Sequence, residues 1–122
     1  MKQILATVAV SASLAFTPHA AWAHAFLDHA NPAVGSSVPA APTVVNLRFT
    51  QNLEPAFCTV TVTDKGSQRV DLDNVQVPQG QPTQLQIGLK QLPPGTYTVQ
   101  WHVVSVDTHI TDGHFNFEVT RR

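Results

Sequence analysis

Six histidines lie along the 122 residues, at positions 19, 24, 29, 102, 109 and 114. Imidazole nitrogen suits copper, zinc, nickel and iron, so spacing must decide which of them could act together. His24 follows Ala21-Trp22-Ala23, an A-x-A site of the kind a signal peptidase cuts. Cleavage after Ala23 would make His24 the first residue of the mature chain. It would then carry two donors, the α-amine and imidazole Nδ1, which close a chelate ring on one metal. An α-amine ordinarily titrates near ~8, so protons compete with a metal for it only weakly near neutrality.

Asp107-Thr108-His109 offers the complement. In extended backbone, residues i and i+2 project to the same face, which aims this carboxylate and imidazole together. His24, Asp107 and His109 then form an N₃O set of one amine, two imidazoles and one carboxylate. Tetragonal N,O coordination favours Cu(II) or Ni(II), and Cu(II) heads the divalent affinity order. Met1 is the only methionine and would leave with the signal, so no thioether-built Cu(I) site is available. The expected cofactor is one Cu(II) per chain.

The other candidates carry less. His102, between Trp101 and Val103, reads as a packed or partly exposed strand histidine. His114, beyond Asp112-Gly113, is a spare ligand or a hydrogen-bonding support for the site. His29 is near His24 in sequence, but Phe26-Leu27 between them read as core residues. Cys58 alternates with Val60 and Val62 and reads as a buried thiol; as the only cysteine it has no internal disulfide partner.

What must position these groups begins with a leader. Met1-Lys2, an apolar run from Ile4 to Phe16 and the A-x-A site have the order of a secretory signal peptide over residues 1–23. The run is short of the ~20 residues of a transmembrane helix. Residues 24–122 then form one domain. Without Lys2 the balance is six Lys and Arg against eight Asp and Glu, a net charge of about −2. No basic block is present for phosphate neutralisation, so nucleic-acid binding is not expected.

The mature segment shows no amphipathic helix. Short alternating runs separated by Pro, Gly, Asn and Asp predict an all-β fold, a single Ig-like Greek-key sandwich or barrel of about seven strands. Ala30 to Pro42 reads as extended connection. Val45, Leu47 and Phe49 share one face of a strand, as do Cys58, Val60 and Val62 of the next, before a hairpin turn at Asp64-Lys65-Gly66. Leu85, Ile87 and Leu89 mark another strand. Leu92-Pro93-Pro94-Gly95 is a turn that launches Thr96 to Val106, with Tyr97, Val99, Trp101 and Val103 on one side. His114 to Val119 closes the chain.

These residues resemble the CopC family of copper-resistance proteins, including its YobA branch. The resemblance runs through His24-Ala25, Asn31-Pro32-Ala33, Ala41-Pro42, Leu47-Arg48-Phe49-Thr50 and Leu53-Glu54-Pro55. Its most specific part is Leu92-Pro93-Pro94-Gly95-Thr96-Tyr97 leading into Trp101-His102-Val103-Val104-Ser105-Val106-Asp107-Thr108-His109, then Gly113-His114-Phe115. It implies a periplasmic β-sandwich that binds Cu(II) through His24, Asp107 and His109. It also implies a role in copper homeostasis or resistance, in some relatives beside a CopD-like inner-membrane copper protein; the expected state is a monomer. Gln51 departs from the family pattern, where an acidic residue is frequent, and this implies a weaker site; Glu54 is retained.

Two other classes compete. Copper-dependent polysaccharide monooxygenases also begin with a copper-chelating histidine on an immunoglobulin-like scaffold. The short chain leaves little room for a substrate platform, and a carboxylate in the copper plane leaves no open position for oxygen. A metal-free Ig-like binding module would make the histidines incidental. No G-x-S-x-G, H-E-x-x-H or triad is present, so no catalytic residue and no enzyme activity is expected.

Overall fold

The structure is a computed structural model that describes residues 25–121. His24 and the expected leader lie outside the described residues. Seven strands are ordered β1 (Leu27–Asn31), β2 (Ser37–Val38), β3 (Val44–Phe49), β4 (Thr59–Thr63), β5 (Gln84–Gly88), β6 (Gly95–Val104) and β7 (Ile110–Val119). One sheet has the order β1-β3-β5 and the other β2-β7-β6-β4. All pairings are antiparallel except β2 with β7. The expected all-β sandwich is what forms, and among the described residues no helix is long and apolar enough to cross a membrane.

Alternation builds the core. Val45, Leu47 and Phe49 of β3 face Val60 and Val62 of β4, with Leu85 and Ile87 of β5 and Val99 and Val103 of β6; each is no more than 3% exposed. Burying a side chain of this size contributes roughly 1.5–3 kcal/mol, which two sheets can collect only by packing face to face. Cys58 belongs to this layer, 3% exposed.

The expected turns are present. At Asp64, Oδ1 accepts hydrogen bonds from the amides of Gly66 and Gln68, both 2.9 Å, and Ser67 takes a left-handed φ of 65°. At the Pro-Pro-Gly turn the Tyr97 hydroxyl donates to the carbonyl of Pro93, a tyrosine corner that ties the start of β6 to the residues before it.

Three expectations need correction. The connection expected over Ala30 to Pro42 contains the end of β1 and all of β2. β1 escapes a pattern search because its burial does not alternate: of its five residues only Ala30 is buried, and its place is fixed by pairing with β3. The last strand begins at Ile110, before His114, because β6 and β7 pair continuously from Val104↔Ile110 to Gly95↔Val119. Phe26 is not a core residue. It is 46% exposed, and the buried neighbour is Ala25 at 0%, while Leu27 is partly buried against the core.

Residues between β4 and β5 form only isolated bridges, among them Asp71↔Leu89. Their anchor is the buried carboxylate of Asp71. It accepts from the amides of Val62 at 2.8 Å and Asp73 at 2.9 Å, and from the Arg69 guanidinium at 2.8 and 3.2 Å. Burial alone would push this carboxyl up, but the hydrogen bonds from Arg69, Val62 and Asp73 outweigh it and hold the group below the usual carboxylate range.

Candidate metal centre

β6 and β7 are joined by the five residues Ser105 to His109. The loop closes on itself: the Ser105 amide donates to the His109 carbonyl at 2.9 Å and the Thr108 amide to the Ser105 carbonyl at 2.8 Å. Thr108 takes a left-handed φ of 71° to complete the turn. Residues 107–109 are therefore not extended, and the expected i, i+2 strand geometry does not apply to them. Asp107 and His109 still meet, because the turn folds them together: Oδ1 of Asp107 lies 3.3 Å from Nδ1 of His109.

Ser105 holds the pair. Its inward position continues the series Tyr97, Val99, Trp101 and Val103, so a polar residue occupies a core site with 0% exposure. The hydroxyl donates to Oδ1 of Asp107 and accepts from the His109 amide at 3.3 Å. The Ser105 bond, and after burial is set against it the contact with His109, draw the Asp107 carboxyl below its ordinary range. Asp107 is thus an anionic oxygen donor at neutral pH, and roughly 40% of each side chain remains open to solvent, 44% for Asp107 and 42% for His109.

The loop is also clamped from outside. Leu53 bridges Ser105, the Val106 amide donates to the Asn52 carbonyl at 3.0 Å, and the Glu54 amide donates to the Val104 carbonyl at 2.8 Å. The same segment ties down the start of the described chain: the Phe26 amide donates to Thr50 Oγ1 at 3.0 Å and the Thr50 amide to the Phe26 carbonyl at 2.9 Å. Phe26, two residues after His24, is thereby fastened to the segment that grips the Asp107–His109 loop.

The remaining histidines do not join this loop. His102 projects from the outer face of the four-stranded sheet, with Nδ1 2.6 Å from Oδ1 of Asp112. His114 is exposed on that face, opposite Gln100, and so is not the support for Asp107 and His109 that its sequence position suggested. His29 is exposed on β1. The Cys58 sulfur accepts from the Val104 amide at 3.4 Å, and burial pushes its thiol up, which withholds the thiolate that soft metals require. Among the described residues no three His, Cys, Asp or Glu side chains converge as a ready-made metal cage. Of the expected set, Asp107 and His109 lie among the described residues, and the loop brings them together.

Residues 27–120 match the family model of the CopC domain. The chain belongs to the CopC family. It is 40% identical over 99 residues to Protein YobA of Escherichia coli K12, covering 80% of each chain. Among solved structures it resembles CopC from Methylosinus trichosporium OB3b, with a TM-score of 0.76 and 31% identity over 81% of this chain and 96% of that one. It also resembles PcoC, a methionine-rich copper resistance protein from Escherichia coli, with a TM-score of 0.69 and 34% identity over 80% and 100% of the two chains. Within this family frame the residue that sequence reading passed over is Ser105. Its signal was a hydroxyl at the fifth inward position of an otherwise apolar series.

Proposed function

We propose that this protein is a periplasmic Cu(II)-binding protein of copper homeostasis and resistance, and not an enzyme. It takes one Cu(II) per chain through the amine and imidazole of His24, the carboxylate of Asp107 and the imidazole of His109. The observation that carries this reading is the Ser105-pinned pair, an ionised carboxylate 3.3 Å from an imidazole nitrogen at a solvent-open loop. A preset oxygen and nitrogen donor reduce the ordering that metal binding must impose. Similarity to the copper resistance protein PcoC supports copper as the cargo. Unlike that methionine-rich relative, this chain has Met1 as its only methionine, which favours the cupric state. The protein works as an exported monomer after its leader is removed, with a CopD-like inner-membrane copper protein as its partner.

The test is the first nitrogen. Protein beginning at His24 is compared with protein carrying one additional residue ahead of it, by Cu(II) competition titration. Extension turns the amine into an amide and should weaken binding by more than the roughly 10–100-fold typical of losing a supporting hydrogen-bond partner. Equal affinity for the two forms would overturn the ligand assignment.

A further inference from the structure

The outer face of the β4-β6-β7 sheet holds a second group of metal-ligating side chains. Thr59, Thr61, Gln100, His102, Asp112 and His114 line a shallow depression of about 420 Å³. Register places them: His102 lies between Thr59 on β4 and Asp112 on β7, and Gln100 lies opposite His114. His102 and His114 are therefore diagonal neighbours on one face, a separation that long side chains span. Asp112-Gly113-His114 is a second D-x-H sequence. Unlike the first it lies in regular strand, so its carboxylate and imidazole share a face by simple alternation.

The bond between His102 and Asp112 decides what the first imidazole can do. A carboxylate only accepts, so at 2.6 Å the Nδ1 of His102 must carry the proton. In the neutral ring Nε2 is then left with its lone pair, on a side chain 44% exposed. A carboxylate bonded to one imidazole nitrogen while the other keeps its lone pair is the support that metal-bound histidines commonly have, fixing the tautomer and raising ligand basicity.

We infer that His102 and His114 form a second, exposed binding site for a borderline divalent cation, with Asp112 orienting His102. Two imidazoles bind the ion and water fills the remaining positions. Imidazole donors place Cu(II) above Zn(II) in affinity. The site is separate from Asp107 and His109: those groups sit in the β6–β7 loop, and these project from the strands. It therefore stands or falls independently of the proposed cupric centre.

The test uses Cu(II) alone as probe, added beyond one equivalent to the mature protein labelled with nitrogen-15 at histidine. Paramagnetic broadening is followed at each imidazole. His29, exposed on β1 in the other sheet, is the internal control for an unassisted surface histidine. The expected result is joint broadening of His102 and His114 at lower copper than His29. In H114Q the His102 response should shift to the copper concentration at which His29 broadens. D112N should weaken the site by roughly 10–100-fold while the fold, read by circular dichroism, is unchanged. Broadening of His102 that is indifferent to H114Q, or that tracks His29 in the parent protein, would overturn the proposal.

Discussion

The hydroxyl of Ser105, wholly buried, donates to the carboxylate of Asp107, and through this bond a core residue fixes the position of a proposed surface ligand. The same oxygen receives the His109 amide at 3.3 Å, so one side chain fixes both ends of the loop. Ser105→Ala should lower Cu(II) affinity by about 10–100-fold, the usual effect of removing a group that orients a metal ligand. It should also release Asp107: its folded carboxyl, now held below the ~3.9 of a free aspartate, should rise toward that value. Carbon-13 titration of the metal-free protein reads the second effect and competition titration the first. An unchanged titration curve would show that Ser105 does not govern the carboxylate.

Much of this was legible in the sequence. β3, β4, β5 and β6 announce themselves because each is apolar on one face and polar on the other, a consequence of packing two sheets over one core. β1 and β2 do not, since LDHAN buries only Ala30 and Ser37–Val38 is two residues long; tertiary pairing defines both. The adjacency of Asp107 and His109 follows from the sequence only in part. Their convergence comes from a left-handed Thr108 and the buried Ser105, not from strand alternation. Spacing can nominate two ligands, but it cannot distinguish a turn from a strand when both bring i and i+2 together.

Asp71 gives the fold a measurable acid response. Its carboxyl is depressed in the folded state, so its contribution to stability is fully present above the ~3.9 of the unfolded chain. That contribution is lost as pH falls through the lower folded value. Asp71→Asn should cost about 1–3 kcal/mol at neutral pH, because an amide cannot accept all the bonds from Val62, Asp73 and Arg69. The gap between parent and variant in denaturant melts should close on acidification below pH ~4. A constant gap across that range would assign the loss to packing and not to charge.

Gly113 makes room for Trp101 across the β6–β7 pair. A Cβ at Gly113 would stand 2.1 Å from Cζ2 of the indole, far inside contact distance, and the ring is further held by Phe49 and Phe115 at 6.0 Å centroid separations. Gly113→Ala must push the indole aside and should destabilise the domain by roughly 1–3 kcal/mol. Of the two tryptophans Trp101 is the one among the described residues, and in protein beginning at His24 its emission reports the displacement directly. A variant with unaltered melting temperature and emission would mean that the strand yields and the ring does not move.

Two histidines seven residues apart should behave oppositely toward the first equivalent of copper. His109 stands beside Asp107 in the loop at 3.3 Å, whereas His102 faces away on the strand, bonded to Asp112 at 2.6 Å. His109→Ala removes a proposed ligand and should reduce first-equivalent Cu(II) affinity by more than ~100-fold, beyond what an orienting group supplies. It should also alter the nitrogen couplings in the electron paramagnetic resonance spectrum. His102→Ala should leave both readings unchanged, since the second site proposed on its face is separate from the proposed loop site. Comparable losses in the two variants would place the primary cupric centre somewhere other than the Ser105–His109 loop.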